Sequence, residues 1–201
     1  MTFAVIPAAG KSTRMGRPKL SLPLGDRTVL EHVITALRQA GIEHILVVIG
    51  PQVPELAALA ESAGAHACLL PQETPDMRAT VEAGLRWLEE RFHPRAEDNW
   101  LLVPADHPTL DPAVVRQLLE IRAAKPSHTI VIPTYRGTRG HPTVIAWKHV
   151  EEIRQLPSGL GLNAYLRQQG AETLEVSVDS ADVLYDLDKP EDYERIRRRQ
   201  R

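Results

Sequence analysis

Apolar positions fall into short blocks separated by stretches with helical spacing. Phe3 to Pro7, His44 to Ile49, Ala67 to Leu70, Asn99 to Val103 and Thr129 to Ile132 read as strands. Between them, Leu30, Val33, Ile34, Leu37 and Ala40 recur at helical spacing, which predicts a helix over 29–40 that stops at Gly41. Pro54 marks the first turn of a second helix running to Ala63. Val81, Leu85 and Leu88 share one face of a third, over 77–92. Asp111 and Pro112 form an N-cap and first-turn proline for a fourth, ending near Ala124. Regular β-α alternation predicts a three-layer α/β/α, Rossmann-like fold with a mainly parallel sheet and right-handed crossovers.

The alternation breaks after Ile132. Residues 135–140, Tyr-Arg-Gly-Thr-Arg-Gly, read as a hairpin tip or loop before an apolar stretch, Thr143 to Trp147. A strand at Leu174 to Val178 and a helix from Pro190 close the chain. The expected organisation is one domain over 1–201, with a nucleotide-binding part to about residue 130 and an acceptor-side part beyond it.

Composition narrows the class. The chain has 201 residues, net charge −2 and 4% aromatics, so neither a global positive field nor a stacking platform favours nucleic acid. The single cysteine, Cys68, excludes an intramolecular disulfide and is expected as a small core residue. The sequence has no signal peptide and no long apolar run, so a cytoplasmic protein without membrane contact is expected.

The strongest chemical signal follows the first strand: Val5 to Leu20, VIPAAGKSTRMGRPKL. Small residues there let backbone N–H groups approach phosphate oxygens, and Lys11, Arg14 and Lys19 supply positive charge. A Walker A loop would need glycine at position 5, where valine stands, and a dinucleotide fingerprint would need closer glycines than Gly10 and Gly16. Asp106, in VPADHP just past the Asn99 to Val103 strand, is placed either to hold Mg²⁺ or to serve as a turn residue. Asp186 and Asp188 point to one side if the segment is extended, so one is a candidate second metal ligand and the others are candidate caps of the last helix. Gly140 and His141, in Gly-His-Pro, either close over an anion or shape a turn. Neither the histidines nor Cys68 shows zinc-ligand spacing, and no serine sits in a nucleophile elbow.

These segments, in order, resemble the molybdenum cofactor cytidylyltransferase group of the MobA-like nucleotidyltransferases, of GT-A-type fold. The resemblance rests on IPAAGKSTRMGRPKLSLPLGDRTVLEHVI from Ile6, DMRATVEAGL from Asp76, VPADHP from Val103, GTRGHPTVI from Gly137 and DLDKPEDY from Asp186. It implies transfer of a nucleoside monophosphate from an NTP, with CTP as donor because Ala8-Ala9-Gly10 stands where the guanylyltransferase branch has two glycines. It implies a molybdopterin-type phosphorylated acceptor, pyrophosphate as product, and a molybdoenzyme or cofactor chaperone as protein partner. It further implies that Ala8, Ala9, Gly10, Lys11, Ser12, Met15 and Gly16 cradle the nucleotide, that Arg14 and Lys19 hold its phosphates, and that Asp106 binds Mg²⁺. Thr80 would lie near the base or ribose. One departure stands out. Where relatives carry a Gly-Asp-x-Gly element tied to the acceptor, this chain has Gly159-Leu160-Gly161. A GTP-dependent enzyme, a sugar- or polyol-phosphate enzyme and a nucleotide-binding module without turnover therefore stay open.

Overall fold

The computed structural model describes residues 1–10, 15–16 and 18–199. Its main sheet is built on β1 (Thr2–Ala8), with β4 (His44–Ile49) and β5 (His66–Leu69) to one side and β6 (Asn99–Leu102) to the other. Beyond β6 lie β9 (Thr143–Ala146), β7 (Ile130–Tyr135) and β10 (Thr173–Ser177), giving the order β10-β7-β9-β6-β1-β4-β5. Only β9, and the short β8 (Thr138–Arg139) hairpinned to β7, pair antiparallel within this sheet. The expected mainly parallel, mixed α/β sheet is what the chain forms.

Alternation along the strands builds two cores. Ala4, Ile6, Ile45 and Val47 face α1 (Val29–Gln39), α2 (Leu56–Ser62) and α4 (Pro112–Ala124). Phe3, Val5, Leu46 and Val48 face α3 (Met77–Phe92) and the short α5 (Val150–Arg154) and α6 (Leu162–Gln168). That period-two division of the strands yields three layers. A small hairpin, β2 (Pro23–Leu24) with β3 (Arg27–Thr28), leads into α1, and α7 (Pro190–Arg199) returns to the first core through Tyr193 and Ile196.

Local chemistry sets the helix ends. Thr28 and Glu31 form a reciprocal capping box at α1, and Gly41 follows its end at φ +90°. Asp76 accepts from the Ala79 N–H at the start of α3, and Asp111 from the Ala113 N–H at α4, as the sequence predicts for the latter. α3 approaches the sheet closely because Gly84 is bare: a Cβ there would lie 2.5 Å from Val48 Cγ2.

Three expectations need adjustment. The second helix begins at Leu56, because residues 54 and 55 form a turn and Glu55 makes no side-chain cap. β7 extends to Tyr135, since a tight turn at Arg136 (φ 50°) and Gly137 (φ 79°) lets the strand run to the hairpin tip. Cys68 is half-buried rather than a full core residue, at the outer strand of the sheet, with its thiol pKa raised by that burial. Thr143 to Ala146 returns antiparallel between β6 and β7, in keeping with the break in alternation after Ile132.

Candidate active site

β1 and β6 are parallel neighbours, so the residues leaving their carboxyl ends meet at one edge of the sheet. Val103 N–H donates to Val5 O across this junction. Ala8, Ala9 and Gly10 leave β1, while Pro104, Ala105 and Asp106 leave β6. Together with Lys19, Thr74, Asp76, Met77 and Thr80 they line a cleft of about 430 Å³. The sequence therefore singles out six residues that the fold brings to one cleft: Ala8, Ala9, Gly10, Lys19, Thr80 and Asp106. Among the described residues nothing crowds Gly10 on its open side, and the Gln52 side chain holds the loop by donating to Ala9 O at 2.6 Å. Thr80 is buried in the opposite wall, its hydroxyl 2.6 Å from that of Thr74.

Lys19 ties three chain segments together. Its ammonium donates to an Asp106 carboxylate oxygen, to Leu187 O at 3.0 Å and to Asp188 Oδ1 at 3.3 Å. Leu187 N–H donates back to Asp106 O at 2.9 Å. The turn after β6 is thus held by the carboxyl-terminal segment as well as by the phosphate-loop candidate. Asp186 lies beside this group. Loss of surrounding water, then the negative charges of Asp106 and Asp188, push its carboxyl up to about 6, against the opposing pull of Lys19. Asp192 caps the last helix by accepting from the N–H groups of Asp188 and Lys189.

The oxygen donors here suit a hard divalent cation. Among the described residues no group of three or more acidic, histidine or cysteine side chains stands ready to hold a metal ion. Mg²⁺ normally takes one or two protein carboxylates and completes its shell with water and substrate phosphates, so Asp106 and Asp186 fit that pattern of sparse protein ligation.

Other candidates separate from the cleft. Met15 packs into the core on the α1 face, and Gly16 takes φ +64°, which favours glycine. Lys11, Ser12 and Arg14 lie outside the described residues. Gly140 is pressed against the Val183 backbone, and His141 N–H donates to Val183 O at 2.8 Å. His141, with Arg139, Asn163 and Arg167, borders a second cleft of about 180 Å³ floored by Ile132 and Leu166. The His141 side chain is neutral down to about pH 4, chiefly because burial disfavours its charged form. His107, next to Asp106, is also buried, with the Asp182 backbone as the polar group facing its ring. Sequence reasoning passed over Gln52, His107 and the Leu187 carbonyl. Only the last had a signal, the Asp-Leu-Asp spacing that points its flanking acids one way.

An open α/β sheet with a phosphate-loop candidate and an acidic turn at adjacent strand ends defines a nucleotide-handling class of protein. The chain belongs to the MobA-like NTP transferase domain family, whose model matches residues 4–173. It is 38% identical over 124 residues to a 2-C-methyl-D-erythritol 4-phosphate cytidylyltransferase of Ralstonia nicotianae, a match covering 58% of this chain and 48% of that protein. The chain thus spans about half the length of this relative. It is 24% identical over 190 residues to the molybdenum cofactor cytidylyltransferase of Escherichia coli K12, covering 94% and 92% of the two chains. Rv0371c of Mycobacterium tuberculosis H37Rv superposes with TM-score 0.82 at 28% identity over 98% of this chain and 97% of that one. The same protein in complex with manganese gives 0.77 at 25% identity, with the same coverage. The family expected from the sequence is borne out. The molybdenum cofactor group within it is matched along nearly the whole chain, but at lower identity than the erythritol-phosphate enzyme.

Proposed function

We propose that the chain transfers a cytidine monophosphate from CTP to a phosphorylated acceptor of the molybdopterin type, releasing pyrophosphate. The observation that carries this reading is the junction of Lys19 with Asp106 at the rim of the β1–β6 cleft. The cleft has the volume of a small-ligand site, and its lining divides by chemistry. Ala8, Ala9 and Gly10 offer small side chains for close approach of a triphosphate. Asp76 and Thr80, on the opposite wall at the start of α3, face the base and ribose.

In this mechanism an acceptor phosphate oxygen attacks the α-phosphorus in line, the bond to the pyrophosphate oxygen breaks, and no side chain becomes covalently modified. A phosphate monoester is already ionised near neutral pH, so no strong base is required. Asp106 and Asp186 would hold Mg²⁺, which supplies charge neutralisation at the phosphates. Lys19 exchanges a carboxylate partner for a phosphate oxygen as the nucleotide arrives, and Arg14 adds a second cation. Catalysis is then positioning and electrostatics. The E. coli relative supports the molybdopterin-type acceptor because its match runs through both parts of the chain. On the acceptor side the 180 Å³ cleft presents Arg167, a cation suited to an anionic substrate, beside Arg139, which pairs with Glu175.

The Ralstonia relative favours a second reading, in which the acceptor is a polyol phosphate. Pyrophosphate release is measured with each of the four NTPs against molybdopterin and 2-C-methyl-D-erythritol 4-phosphate. Release with CTP and molybdopterin supports the first reading; release with the polyol phosphate replaces it with the second. NTP binding without pyrophosphate from either acceptor refutes both and leaves a binding module. Asp106→Ala is expected to lower turnover about 100- to 1000-fold in a chain that still folds and melts cooperatively.

A further inference from the structure

Arg122, in the last turn of α4, is 7% exposed. Among the described residues its guanidinium has no ion pair and no hydrogen bond, and Nε is buried without a partner. Burial alone, with no compensating carboxylate, lowers its proton affinity. A cation at a helix C-terminus is favoured by the helix dipole, but an exposed side chain gains that benefit without desolvation. Nε has lost its water with no partner to replace it, so an arginine in this state fits a site whose counter-ion comes from outside the chain.

The surroundings fit that reading. Arg122 borders a cleft of about 450 Å³ at the amino-terminal edge of β6 and β7, the end of the sheet opposite Asp106. Asn99, at the start of β6, also borders it, and its Oδ1 is buried without a donor. Lys148 stands at the rim, paired with Glu172, whose carboxylate also accepts from Thr129. Glu97, the one carboxylate lining the cleft among the described residues, is exposed. The two polar groups that lack partners are thus a cation and an acceptor.

We propose that this cleft binds a small oxyanion that also carries a hydroxyl group, with the anion on Arg122 and the hydroxyl donating to Asn99. The ligand class is a phosphorylated or carboxylated polyol, and the site is separate from the nucleotide cleft. Arg122 extends from the end of α4, while Asn99 opens the strand that leads directly to the Asp106 turn.

The test is an NMR titration of the full chain, following the Arg122 Nε–Hε resonance, assigned by its loss in Arg122→Lys. The probes are glycerol 3-phosphate, glycerate, inorganic phosphate and chloride. A saturable shift with glycerol 3-phosphate or with glycerate, absent with equal ionic strength of chloride, supports the site, and the stronger of the two names the anion. Asn99→Ala is expected to weaken the polyol probe about tenfold while leaving inorganic phosphate unchanged. A resonance unmoved by every probe, or moved equally by chloride, overturns the proposal. Equal loss of both probes in Asn99→Ala overturns the role of Asn99. If Arg122→Lys does not fold, Arg122→Gln provides the assignment and the titration of the wild-type chain stands unchanged.

Discussion

Gly140 is a position where packing and ligand binding make opposite predictions. An alanine Cβ there would sit 2.4 Å from Val183 O and 2.9 Å from the Val183 carbonyl carbon and Cβ, two backbone atoms and the side-chain atom fixed to that backbone. Contact distance is about 1 Å longer. Neither side yields easily, since Gly140 N–H is bonded to Pro133 O and His141 N–H to Val183 O, both at 2.8 Å. Overpacking of this kind costs about 1–3 kcal/mol, and a stretched backbone hydrogen bond about 1 more. Gly140→Ala should therefore lose roughly 2–4 kcal/mol. For a domain of this size the melting temperature falls by roughly 5–15 °C. Thermal unfolding followed by circular dichroism measures it, with Gly170→Ala as the control because its Cβ would meet nothing within 4 Å. A Gly140→Ala protein that melts within about 2 °C of wild type but loses nucleotide or acceptor affinity would refute the packing argument and return Gly140 to the list of ligand contacts.

Lys19→Met leaves Asp106 and Asp188 without their shared cation and Leu187 O without its donor, so the chain should lose roughly 1–3 kcal/mol, read from urea unfolding at pH 7; an unchanged midpoint would show that the ammonium ties nothing together. His141 titrates at about 4 in the folded chain against 6.5 unfolded, so between those values the unfolded state binds the extra proton. Its contribution is present in full above about pH 6.5 and is lost as pH falls towards 4. The loss reaches up to about 3 kcal/mol, reduced by whatever solvent the ring retains. His107 shifts in the same direction through burial. His141→Asn should flatten the acid limb of a stability-versus-pH curve, and an identical limb in wild type and variant would remove His141 from it.

Local signals made the first two-thirds of the fold legible. Apolar blocks of four to six residues marked the central strands, and Asp111-Pro112 and Gly41 marked helix ends, because each acts through its nearest neighbours in sequence. The β1 and β6 ends could be paired as one site because parallel strands deliver their following residues to the same edge. What escaped was long-range. Nothing in Thr143 to Ala146 says that the strand reverses direction, since an antiparallel central strand is as apolar as a parallel one. Met15 reads as part of a phosphate loop, but its side chain turns into the core, a choice made by tertiary contact. The pairing of Lys19 with Asp188 spans 169 positions, and Arg122 reads as an ordinary helix-end cation until its burial is seen.

The bonds from Lys19 and Asp106 to Leu187 have a consequence for synthesis. A ribosome delivers the loop after β1 and the acidic turn after β6 long before it delivers residue 187. Until the tail emerges and docks, Lys19 lacks its bonds to Leu187 O and Asp188, and the turn after β6 lacks its outer brace. The Lys19–Asp106 corner of the cleft is therefore fully braced only once residues 187 and 188 are in place. The rim of the cleft is thus assembled late in synthesis, after every strand of the main sheet has been made.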